Sequence, residues 1–141
     1  MKPLLIVVTG RPASGKTTLA NILSEKIKLP LFSRDEFKEG YINTVGLHHN
    51  ELNNEVNSDI YETFFMAADL LISRRISIII EAAFQHKLWE PKLSSYLSRA
   101  EVKIVICKIL PELAIARFSS RALNDPDRDR FYSGIALSKE K

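Results

Sequence analysis

Leu4-Leu5-Ile6-Val7-Val8-Thr9-Gly10-Arg11-Pro12-Ala13-Ser14-Gly15-Lys16-Thr17 decides the fold. Leu4–Thr9 is apolar and rich in β-branched residues, the composition of a strand buried on both faces of a parallel sheet. Gly10–Gly15 is a turn-rich break. From Lys16 onward, Leu19, Ile22, Leu23 and Ile27 recur at the spacing of one helix face. The unit therefore reads strand, glycine loop, helix.

Gly10 to Thr17 matches G-x-x-x-x-G-K-[ST]. Each fixed position has a physical reason. The glycines permit a tight loop whose backbone N–H groups converge on phosphate oxygens. The helix opening at Lys16 adds the positive end of its dipole. Lys16 brings a mobile cation to the β- and γ-phosphates. Thr17 brings a hydroxyl to Mg²⁺, a hard ion that takes few protein oxygens beside phosphate and water. Gly10, Arg11, Pro12, Ala13, Ser14, Gly15, Lys16, Thr17 and Thr18 are the expected contacts for the phosphates of a purine nucleoside triphosphate. No base-reading N-K-x-D motif is present, which favours ATP over GTP.

The rest of the chain alternates strand-like and helical patterns. Pro30–Ser33 predicts a second strand, and Asp35–Gly40 a polar segment of at most one helical turn. Val45–Asn50 reads as a loop. Leu52, Val56, Ile60, Phe64, Ala68 and Leu71 form a long helical stripe closed by Arg74 and Arg75, where the helix dipole favours cations. Ser77–Ala83 is a third strand. Leu88–Arg99 predicts a helix with Pro91 near its first turn. Val102–Leu110 is a fourth strand, and Pro111 opens a helix to about Leu123. Asn124–Arg130 is turn-prone and charged, and the tail to Lys141 has no period. Alternation of this kind implies an α/β fold: a central parallel sheet of four or five strands with helices on both faces.

Bulk numbers agree. With 141 residues the chain suits one domain over 1–141. A net charge of +3 suits an anionic ligand but is no sign of a dedicated nucleic-acid binder. The lone cysteine, Cys107, permits no intrachain disulfide and fits a reducing cytoplasm. The apolar runs fall far short of the roughly 20 residues of a membrane span. No obligate protein partner is evident.

Other residues suggest chemistry. Asp35 lies just past the second strand, at the end of an open sheet where ligands bind. It is a candidate general base for a hydroxyl attacking a phosphoryl group, with Arg34 and Lys38 as holders of an anionic acceptor or of the moving group. The alternative is a helix cap beside a solvated basic pair. Glu81 ends the third strand and is a candidate Mg²⁺ partner; the alternative is a strand-end charge in solvent. Arg117 and Arg121 share a helix face and would neutralise a transferred phosphoryl group, with Arg128 and Arg130 following in an acid-laced segment. His48, His49 and His86 complete no metal-ligand spacing. Tyr61, Phe64, Phe65 and Trp89 read as core, and Cys107 as a packed thiol.

The loop Gly10–Thr17, the stretch Ser33-Arg34-Asp35-Glu36-Phe37-Lys38 and Arg117-x-x-x-Arg121 together resemble the small P-loop kinases, including chloramphenicol phosphotransferase-like, zeta-toxin-like and polynucleotide-kinase-like enzymes. The resemblance spans about residues 4 to 132. It implies a three-layer P-loop NTPase fold with the phosphate-loop strand at its centre. It implies an ATP- and Mg²⁺-dependent kinase in which Asp35 activates a small-molecule hydroxyl and Arg121, with Arg117, closes over the transferred group. Two features depart from the family. Glu81-Ala82-Ala83-Phe84 carries Phe84 where relatives place a polar residue. Relatives also continue into a fifth strand and a closing helix, whereas only Ser133–Lys141 follow Tyr132, so a C-terminally truncated or short form is expected. A polynucleotide 5′-hydroxyl kinase, a nucleotide-binding regulatory module with little transferase activity, and an inactive remnant stand as alternatives.

Overall fold

The computed structural model of the chain describes residues 1–11, 14–83, 86–108, 112–113 and 116. Its elements are strand β1 (Leu4–Gly10), helix α1 (Lys16–Ile27), strand β2 (Leu31–Ser33), helix α2 (Arg34–Val45), a 3₁₀ turn (His49–Glu51), helix α3 (Asn54–Ser73), strand β3 (Ile78–Ala82), helix α4 (His86–Tyr96) and strand β4 (Glu101–Cys107). The strands form one sheet in the order β2-β3-β1-β4. All three pairings are parallel, so the phosphate-loop strand lies inside the sheet, as expected.

Alternation along the strands builds two cores. Leu5, Val7, Ile78 and Ile80 face one way and pack against Phe64, Phe65, Trp89, Leu93 and Tyr96 of α3 and α4. Ile6, Val8 and Ile79 face the other way, toward Ala20 and Leu23 of α1. Helices thus cover both faces, and the layers are helix, sheet, helix. The first core is aromatic. Phe65 meets Trp89 edge-on at 5.3 Å, and Phe37 meets Phe64 edge-on at 5.5 Å. Such pairs add about 0.5–1.5 kcal/mol each beyond their buried area.

Four elements differ from expectation. The segment after β2 is a twelve-residue helix, not a single turn. Asp35 and Glu36 lie in its first turn, where carboxylates complement the dipole, and Gly46 ends it at φ 77° with its N–H on the Ile42 carbonyl. Phe37 and the buried Ile42 anchor it, despite a glycine at position 40. On α1, Leu19, Ile22 and Ile27 are exposed, while Lys16 and Ala20 are buried. Lys16 belongs to the phosphate loop and shares the buried face of the helix with Ala20. At about 100° per residue Ala20 and Leu23 fall within about 40° of Lys16 and face the sheet, Leu19 falls at the flank and Ile22 about 120° away. On α3, Leu52 precedes the helix, and Phe65 and Ile72 are buried beside Ile60, Phe64 and Ala68.

Helix α4 starts at His86, so Pro91 sits in its second turn. Proline there lacks the N–H that would reach the carbonyl four residues back, a loss of about 3 kcal/mol. Trp89, Leu93 and Tyr96 are all buried on one face of that helix. Burial at about 1.5–3 kcal/mol per large side chain outweighs the lost bond. The helix expected from Pro111 to Leu123, the segment Asn124–Arg130 and the tail, with its possible strand at Gly134–Leu137, lie outside the described residues apart from 112–113 and 116.

Candidate functional site

The carboxyl ends of β1, β2 and β3 finish side by side. Ser33 is in register with Glu81, and Glu81 with Val8. Two-residue alternation therefore carries the α1-facing rows out of the core and into polar side chains. Leu31 is followed on that face by Ser33, and Ile79 by Glu81. Ser33 and Glu81 are both buried.

The phosphate loop leaves β1 at Gly10 and enters α1 through Gly15. Gly15 has φ 89°, a left-handed conformation that costs a β-carbon residue energy. Gly10 is closed sterically: a Cβ there would lie 2.6 Å from the Cys107 carbonyl oxygen on β4. Ser14 N–H donates to the Arg11 carbonyl at 3.1 Å, and Leu19 N–H to the Gly15 carbonyl at 3.0 Å, which starts the helix. Lys16 is 7% exposed. Arg11, Thr17 and Thr18 are exposed.

Thr17 Oγ1 donates to Glu81 Oε1 at 3.0 Å. Glu81 is 1% exposed, and its Oε2 has no protein hydrogen-bond partner. The Ser14 and Thr9 hydroxyls are likewise buried without one. Buried polar atoms are nearly always hydrogen-bonded, so several orphans at one sheet end mark a place for a polar ligand. Burial pushes the Glu81 carboxyl above its usual range; the Lys16 ammonium opposes this, Asp35 adds to it, and the Thr17 hydrogen bond opposes it. An all-oxygen pair, one carboxylate oxygen still open, fits the donor preference of Mg²⁺. The cradle without a Cβ and the buried cation fit a polyphosphate.

Asp35 stands in the first turn of α2, two residues past the cap position held by Ser33. Its carboxylate is half-exposed and 3.7 Å from Arg34 Nη1. Arg34 is not part of a solvated face. Its side chain is mostly buried, its guanidinium lies 4.3 Å from the Tyr61 ring centroid, and its Nε has no protein partner. Lys38 is also partly buried, and desolvation followed by the nearby Arg34 charge lowers its pKa. The sequence gives no sign of the Arg34–Tyr61 contact. Its only trace is that Tyr61 flanks the Ile60–Phe64 stripe, which suggests core and not site.

Pro12, Ala13, Phe84, Arg117, Arg121, Arg128 and Arg130 lie outside the described residues. Trp89, Phe64 and Phe65 are core. Cys107 is partly buried against the α1 core. Its thiol is raised chiefly by burial.

Comparison with known proteins gives the same frame. A search of curated protein sequences finds no match. Among solved structures, the chain is similar to a candidate kinase from Chloroflexus aurantiacus at 28% identity, with a TM-score of 0.80, over 88% of this chain and 68% of that one. It is similar in fold to a chain of the Pnkp1/Rnl/Hen1 RNA repair complex at 19% identity and TM-score 0.77, covering 98% of this chain but 42% of that chain. It also shares its fold with the APS kinase CysC of Mycobacterium tuberculosis, solved with AMPPNP and APS, at 14% identity and TM-score 0.63, over 87% of this chain and 72% of that one. The chain thus spans about two thirds of the first of these proteins and less than half of the second. The fold is that of the P-loop kinases, which supports a kinase-type, ATP-binding role. The family model for zeta toxins matches residues 1–134, nearly the whole length, and the chain belongs to the zeta toxin family.

Proposed function

We propose that residues 1–141 form one P-loop kinase-like domain that binds Mg-ATP and transfers the γ-phosphate to a hydroxyl of a small-molecule acceptor. The observation that carries this reading is the convergence of buried Lys16, the Thr17–Glu81 hydrogen bond and the unpartnered Ser14 hydroxyl at one end of β1.

The loop amides and Lys16 hold the β- and γ-phosphates. Thr17 and Glu81 supply oxygens to Mg²⁺, which when bound neutralises charge on those phosphates. Asp35 takes the proton of the acceptor hydroxyl. The acceptor oxygen forms the new bond to the γ-phosphorus, and the bond from that phosphorus to the β-phosphate oxygen breaks, releasing ADP. Arg117 and Arg121 are the proposed partners of the transferred group. The single cysteine suits a reducing compartment, and the cytoplasm is the proposed one. Among the described residues no helix is long and apolar enough to cross a membrane.

Calorimetric titration of Mg-ATP into the chain tests the nucleotide half. Saturable binding is expected, and Lys16→Ala abolishes it. Asp35→Asn tests the chemistry: ATP affinity stays and transfer falls by about 10²–10⁴-fold, the usual contribution of a general base. A folded chain that binds no Mg-ATP would remove the kinase reading. ATP binding with transfer unchanged in Asp35→Asn would leave a nucleotide-binding module without this base.

A further inference from the structure

The amino ends of the four strands form the pole of the domain opposite the phosphate loop. β1 spans seven residues. At about 3.3 Å per residue the two poles lie about 20 Å apart. The register levels the strand starts: Leu4 pairs with Glu101, Leu5 with Ile78 and Leu31 with Ile79. The segments that lead into the strands are tied side by side. Leu4 N–H donates to Ser77 Oγ at 2.8 Å, Ile79 N–H to the Pro30 carbonyl at 2.9 Å, and Glu101 N–H to the Pro3 carbonyl at 2.9 Å.

Those segments are 1–3, 26–30, 74–77 and 97–100. They hold Lys2, Lys26, Lys28, Arg74, Arg75 and Arg99, and neither Asp nor Glu. Arg99 is matched by Asp69 at 2.8 Å. The other five cations are exposed, and among the described residues none of them has a carboxylate partner. Glu25 and Glu101 border the segments, and Glu101 is engaged by Lys103 at 3.3 Å.

Helix dipoles favour cations at helix C-termini, but two features go beyond that. Lys28 at φ 59° and Arg75 at φ 60° are the non-glycine residues with positive φ among the described residues. Glycine is the usual occupant of such a cap, because a side chain crowds the backbone there. Helix α2 does end on Gly46. Strain kept where glycine would relieve it points to a use for the side chain. The second feature is apolar. Ile27, Ile76 and Leu97, one from each helix-to-strand connection, are 41%, 46% and 61% exposed.

Cations interleaved with aliphatic side chains match phosphate headgroups over acyl chains. Single-stranded nucleic acid, another polyanion, is held by stacking its bases on aromatic rings, and the four segments contain none. We propose that this pole docks the domain on an anionic bilayer surface, with the five cations on lipid phosphates and Ile27, Ile76 and Leu97 at the boundary with the acyl chains. The phosphate loop, at the other pole, stays open to solution. The docking does not depend on phosphate transfer.

The test is co-sedimentation of the full chain with phosphatidylcholine vesicles, with and without about a third of phosphatidylglycerol. Binding is expected to the anionic vesicles alone, and it weakens as added salt screens the cations. Lys28→Gly/Arg75→Gly removes two cations and frees two left-handed positions, so its melting temperature holds or rises. Its vesicle affinity falls about 30-fold, the worth of two surface cations. Lys2→Gln/Lys26→Gln, at exposed positions outside the left-handed region, repeats the loss should the glycine variant be destabilised. Ile76→Ser weakens binding about fivefold by removing one apolar anchor. Lys16→Ala leaves it unchanged.

No binding to anionic vesicles, equal binding to neutral ones, or affinity unchanged in both double variants overturns the proposal. So does loss of binding in Lys16→Ala, which would assign the lipid phosphate to the phosphate loop. A single-stranded oligonucleotide bound more tightly than the vesicles, with the same dependence on Lys28 and Arg75, would also overturn it and make the pole a nucleic-acid surface.

Discussion

The two faces of the sheet do different jobs. The α3/α4 face is thick and aromatic, with Phe64, Phe65, Trp89 and Tyr96 all buried over Leu5, Val7, Ile78 and Ile80. The α1 face is thin: Ala20 is its one fully buried helix residue besides Lys16, and Leu19 and Ile22 stand in solvent. The thin face is also the one whose rows end in Ser33 and Glu81, with the phosphate loop above them. The thick-face row of β3 ends instead in apolar Ala82. Burying a cation and a carboxylate opposes folding, so a domain that holds both draws its stability from elsewhere. Here the elsewhere is the opposite face.

Substitutions can break or sharpen that contrast. The largest effect is expected from Phe64→Ala, about 3–5 kcal/mol of stability by urea unfolding. A loss below about 1 kcal/mol would mean that the aromatic face is not what holds the domain. Ile80→Ala and Ile79→Ala compare the faces within one strand. Both fall in the range of about 2–5 kcal/mol, and Ile80 costs more because its rigid aromatic neighbours cannot collapse into the void. The reverse ranking would undo the comparison.

Glu81 gives a pH signature on the thin face. Its carboxyl is raised in the folded chain. The native state therefore holds this proton to higher pH than the unfolded chain does. Its contribution is full below the ordinary glutamate value and is lost as pH rises through the raised value. In Mg²⁺-free buffer, wild-type melting temperature declines over that window, and Glu81→Gln flattens the decline. Parallel profiles for the two proteins would exclude the effect. The smallest change is expected at Leu19→Gln, within about 0.5 kcal/mol, because the side chain lies in solvent. A loss above 1 kcal/mol would reveal a cover over α1.

How much of this is legible without coordinates follows from how local each cause is. The loop Gly10–Thr17 and the buried strands β1 and β3 are written in consecutive residues, so spacing alone finds them. The length of α2 is not. Its helical signal is weak around Gly40, and what fixes it is Phe37 packing on Phe64, a residue from another element. The apolar stripe of α1 is right only in part: Leu23 packs on the sheet, while Leu19 and Ile22 are exposed. Glu81 is visible as a strand-end acid, but its burial and its bond to Thr17 arise only from strand register. Arg34 over Tyr61 joins residues that no pattern links.

One chain of rings has a practical meaning. Trp89 is the single tryptophan. It meets Phe65 at 5.3 Å, Phe65 stacks on Tyr61 at 6.5 Å, and Tyr61 carries Arg34 at 4.3 Å. A fully buried indole is sensitive to the packing and polarity around it. Two aromatic rings connect it to the Arg34 side chain at the start of α2. The domain therefore carries its own fluorophore, and the emission of Trp89 offers a label-free optical reading of the melting of the thick face and of changes in packing that reach it from Arg34.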